Sequence, residues 1–71
     1  MSQPSLTPSL QETLAVFERS GAPLTTTEVA NRLDVGRRST YERLDRLVDR
    51  ERLETKKVGA SARVWWQPIA V

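Results

Sequence analysis

Arg37 and Arg38 open the stretch GRRSTYERLDRL, and Ser39, Tyr41, Glu42 and Arg46 follow them at spacings that suit one helix. Lys56, Lys57 and Arg63 form a second basic group nearer the C-terminus. Side chains of these types recognise charge and hydrogen-bonding edges. A guanidinium fork matches a phosphate or two neighbouring acceptors such as guanine O6 and N7, and a carboxylate accepts from an amine such as cytosine N4. Arg37 and Arg38 also stand where a helix disfavours them, because the macrodipole is positive at the N-terminus. Their position makes sense when an anion lies in front of the helix.

Covalent chemistry is poorly provided for. The 71 residues contain no histidine and no cysteine, which removes the commonest general base, the commonest metal ligand and the thiolate nucleophile. No glycine-rich phosphate loop or metal-ligand cluster appears, and the carboxylates are interspersed with arginines. The expectation is a protein that is not an enzyme and uses no cofactor and no metal.

The net charge of +2 is unevenly spread. Residues 1–36 carry four acids against two arginines, a balance of −2, whereas residues 37–71 carry nine basic and five acidic residues, a balance of +4. Such asymmetry suggests one face built for a polyanion. No apolar run approaches the ~20 residues that span a bilayer, and the N-terminus lacks the pattern of a secretory signal. A cytoplasmic protein without a membrane partner is expected.

The elements that position these residues can be read from periodicity and capping. Residues 1–8, with two prolines, read as a flexible arm in which Leu6 packs back on the domain. Ser9 and Glu12 fit the S-x-x-E capping box, while Thr7 followed by Pro8 offers a competing helix start. Leu10, Leu14 and Phe17 then form an apolar stripe, and Gly21 suits a left-handed C-terminal cap. Thr25 and Glu28 make another capping box, opening a short helix with Val29, Ala30 and Leu33 on its apolar face. Asp34–Gly36 interrupts the pattern. A helix from Arg37 to about Arg50 follows, with Thr40, Leu44, Leu47 and Val48 inward and Arg38, Glu42, Asp45, Arg46 and Asp49 outward.

The period then changes to two. LETKKV at 53–58 and ARVWWQ at 62–67, separated by GAS, read as a β-hairpin. A lone hairpin is marginal in water, so this one should lie on the helices, burying Leu53 and one of the adjacent Trp65 and Trp66. Adjacent strand residues face opposite ways, so only one of Lys56 and Lys57 can join Arg63 on a given face.

Two helices joined by a tight turn, the second longer and more basic, make a helix-turn-helix unit. In that order and spacing, LTTTEVANRLDVGRRSTYERLDRLVDRERLETKKVGASARVWWQ at 24–67 resembles the winged helix-turn-helix DNA-binding domain of archaeal and bacterial transcriptional regulators. The resemblance rests on Ala30 and Leu33 on one helix, Val35 in the turn, Leu44 and Leu47 on the next, and the glycine-containing hairpin as the wing. Gly36 departs from it, since related sequences often carry a serine cap there.

The resemblance implies an α+β (mainly α) fold, a winged helix-turn-helix of three helices followed by a two-stranded β-hairpin wing. The domain would span 9–68, preceded by the arm 1–8 and followed by a tail 69–71. It also implies a sequence-specific double-stranded DNA-binding domain with helix 37–50 in the major groove and the wing, about 53–67, on the backbone or minor groove. The expected contacts are Arg37, Arg38, Ser39, Tyr41, Glu42, Arg46, Lys56, Lys57 and Arg63. Two alternatives stay open for Glu42, a cytosine amine or an ion pair with Arg46. A winged helix without DNA binding that docks a protein remains the other reading. One module of this size offers a small interface, so a homodimer or a larger host protein with a sensor domain is expected.

Overall fold

The computed structural model describes residues 6–60 and 62–68. The arm residues 1–5, Ser61 of the hairpin tip and the tail 69–71 lie outside the described residues. The element order is α1 (Pro8–Ser20), β1 (Leu24–Thr25), α2 (Thr26–Leu33), α3 (Arg37–Asp49), β2 (Glu54–Lys57) and β3 (Arg63–Trp66).

Between the two starts that the sequence allows for α1, Thr7–Pro8 prevails. Proline cannot donate a backbone hydrogen bond and disfavours helical geometry in the residue before it, so Thr7 is held extended, at φ −64° and ψ 158°, as the N-cap. Its Oγ1 accepts from the Leu10 N–H at 3.3 Å. Ser9 instead lies within the helix, where its carbonyl accepts from the Thr13 hydroxyl at 2.8 Å. Gly21 closes the helix at φ 66°, a left-handed conformation that costs glycine nothing, and its N–H donates to Phe17 O.

α2 begins with both halves of the capping box in place. Glu28 N–H donates to Thr25 Oγ1 at 3.1 Å, and Thr25 N–H donates to Glu28 Oε1 at 2.8 Å. Asp34 ends it at φ 57°, and its short polar side chain is one of the few that tolerate that region. Gly36 then serves as N-cap of α3 with no side-chain hydrogen bond to the helix.

The sheet has three antiparallel strands in the order β1-β3-β2, so the expected hairpin gains a third member. β1 pairs Leu24 with Trp65 and Thr25 with Val64, and β2 pairs Thr55 with Trp65 and Lys57 with Arg63. β1 is only two residues long, and its strand character comes from β3 beside it.

The core joins Leu10, Leu14, Val16 and Phe17 of α1 to Val29, Leu44, Leu47, Leu53 and Trp65. Leu6, Leu33 and Val48 are half-buried against it. Trp65 is the inward tryptophan, fully buried, with its Nε1 donating to Thr26 Oγ1 at 2.8 Å. Trp66 faces the other side of the sheet and donates from Nε1 to Glu54 Oε1 at 3.0 Å. The indole that fills the core thus also ties the sheet to the start of α2. No helix among the described residues is long and apolar enough to cross a membrane.

Candidate nucleic-acid interface

α3 opens with two arginines, no acidic residue in its first turn and no side-chain cap. Its first backbone N–H groups and its arginines therefore add positive potential at the same end. Thr40 N–H finds Gly36 O at 3.0 Å, which fixes the helix start at Arg37.

The wing brings its cations to the same place by strand alternation. Trp65 and Thr55 oppose each other, as do Arg63 and Lys57 one step further out, so these four share one face. That face is anchored by Trp65 in the core, and Lys57 and Arg63 lie two residues nearer the wing tip. Arg63 also donates to Thr55 Oγ1 at 3.5 Å, and that hydroxyl donates to Val64 O at 3.0 Å. Gly59, at φ 108°, supplies the turn, which Val58 N–H closes on Ala62 O.

Between these elements lies an open cleft of about 840 Å³. Arg37, Arg38, Tyr41 and Glu42 of α3 form one wall, Lys57 and Arg63 of the wing another, and Thr25–Thr27 at the start of α2 a third. Four cations against one carboxylate give the lining a formal balance of +3. Tyr41 is 41% exposed and meets Trp65 edge-on, with centroids 5.4 Å apart and planes at 84°. Its ring is thus held at the cleft by contact with the core tryptophan.

Six of the nine sequence candidates, Arg37, Arg38, Tyr41, Glu42, Lys57 and Arg63, come together in this cleft. Ser39, Arg46 and Lys56 are exposed outside its lining. Lys56 pairs with Val64 and faces away with Glu54 and Trp66. Among the described residues Arg46 forms no ion pair with Glu42; the one salt bridge joins Arg43 to Glu12 of α1 at 3.4 Å. The threonine wall is not evident from sequence, although the capping box at Thr25 marks the helix end that carries it. Val58, 45% exposed beside the wing tip, is likewise not marked by any charge or spacing signal.

Three helices with a small antiparallel sheet whose hairpin flanks the third helix define a winged-helix fold. Two solved structures share it. A HOP2 structure concerned with DNA recognition and protein interaction domains superposes with a TM-score of 0.77 at 16% identity, covering 84% of this chain and 98% of that one. ZitR, a zinc-responsive MarR family member from Lactococcus lactis, superposes with a TM-score of 0.74 at 16% identity, covering 94% of this chain and 46% of that one. This chain therefore spans less than half the length of ZitR. No protein-family model matches the sequence, and no curated protein matches it significantly.

Proposed function

We propose that this domain binds double-stranded DNA without catalysing a reaction on it. α3 enters the major groove by its N-terminal half, and the wing lies on the phosphate backbone or in the minor groove. The observation that carries this reading is the convergence of Arg37 and Arg38 with Lys57 and Arg63 from two separate elements into one cleft. The two arginines cost the free helix roughly a few tenths of a kcal/mol each at its positive end. On DNA a bidentate arginine contact returns about 1–3 kcal/mol. The HOP2 structure concerns DNA recognition, which supports the same use of the fold here. The likeness to ZitR, a MarR family member, supports a transcriptional regulator of the archaeal and bacterial type as the setting of the domain, and we assign that regulator to the cytoplasm. A single module buries about 600–1,000 Å² of protein surface on DNA, so a second copy or a host protein with a sensor domain completes the specificity.

The direct test is fluorescence anisotropy with a mixed-sequence duplex over a salt series. Three or four phosphate contacts predict that log K falls against log salt with a slope of about −3. No binding at low salt would overturn the reading.

A further inference from the structure

We infer that Arg38 and Glu42 together read one G·C base pair from the major groove, Arg38 donating to guanine O6 and N7 and Glu42 accepting from cytosine N4. The inference rests on the duplex-DNA reading above and adds to it the chemistry of the site contacted.

The motivating observation is an unpaired acid in a basic cleft. Glu42 lines the cleft beside Arg37, Arg38, Lys57 and Arg63. It has an arginine one helical turn on either side, Arg38 at i−4 and Arg46 at i+4. The Glu42–Arg46 order is the favourable one for a helical ion pair. Yet the one salt bridge among the described residues joins Arg43 and Glu12, and Glu42 pairs with neither neighbour.

A carboxylate facing the phosphate backbone would weaken binding by repulsion, so its place in this cleft calls for a donor on the ligand. On the floor of the major groove the donors are the amines of cytosine and adenine. Only guanine sets two acceptors side by side for a guanidinium fork. Arg38 and Glu42 lie on one helix face with Cβ atoms roughly 5–6 Å apart, donor beside acceptor. A G·C pair presents the complementary order, two acceptors on the purine and one amine on the pyrimidine. An A·T pair offers the amine but not the double acceptor, and it presents a methyl group on its other half.

The test is selection of bound duplexes from a randomised library by the wild-type domain, Glu42→Ala and Arg38→Ala, with thermal melting as a check on folding. The wild type should select a site with a fixed G·C pair. Replacing that pair by A·T should weaken wild-type binding by about 5- to 150-fold. Glu42→Ala should lose the cytosine preference while binding unselected duplexes more tightly, because a like charge facing the phosphates is gone. Arg38→Ala should lose discrimination at the same pair, whereas loss of a mere phosphate contact would weaken all duplexes alike. A folded Glu42→Ala that keeps the wild-type preference overturns the inference and leaves duplex binding standing. So does wild-type binding that is indifferent to sequence. Failure of the wild type to bind any duplex overturns both readings.

Discussion

Arg37 and Arg38 oppose the local helix electrostatics, with no acid or side-chain cap in the first turn to relieve them. A side chain placed against its own helix's preference is explained most economically by a partner. Removing one should therefore harm binding and spare folding. Arg38→Ala is expected to weaken duplex binding by about 1–3 kcal/mol with the melting temperature unchanged or slightly raised, as anisotropy and circular dichroism would show. Thr40 makes the opposite case. It is fully buried in the inward stripe of α3, and among the described residues its hydroxyl has no hydrogen-bond partner. A buried unsatisfied hydroxyl costs about 1–3 kcal/mol, so Thr40→Val, of nearly the same shape, should raise the melting temperature and leave DNA affinity alone. The arginines were legible in the sequence because their anomaly is local. The Arg43–Glu12 pair was not, since its partners stand 31 residues apart and meet only once α1 packs against α3.

At the scale of elements, the helices could be read from caps and apolar spacing because both signals lie within a few residues. The Thr25–Glu28 box and the Gly21 cap appear as read, and α1 takes the Thr7–Pro8 start of the two that the sequence offered. β1 carries no such local signal. Two residues carry no period, and their strand character depends on Trp65 and Val64, far away in sequence. The wing shows the same division. Alternation required that one of Lys56 and Lys57 face away from Arg63, but the choice between them depended on which tryptophan entered the core. Trp65 is buried, so Thr55 and Lys57 share its face. Lys57→Ala should accordingly weaken duplex binding and flatten its salt dependence by about one unit of slope, whereas Lys56→Ala should change both much less. A larger loss from Lys56→Ala than from Lys57→Ala would mean that the wing meets DNA by its other face.

For the whole molecule, an acidic N-terminal half and a basic C-terminal half fold so that four of the basic groups face one cleft. The opposite side of the sheet carries a smaller groove of about 490 Å³ containing Trp66, Pro68, Glu51 and Glu54, whose acids suit it poorly to a polyanion. The two sides therefore make opposite predictions about where a duplex sits. A backbone-amide NMR titration with a mixed-sequence duplex, first at low and then at raised salt, tests this most directly. Salt-sensitive shifts are expected at 25–27, 37–42 and 57–63, with α1 and the Trp66 groove unmoved. Shifts centred on α1 or on Trp66, or no shifts at low salt, would contradict this and point to a winged helix that docks a protein instead.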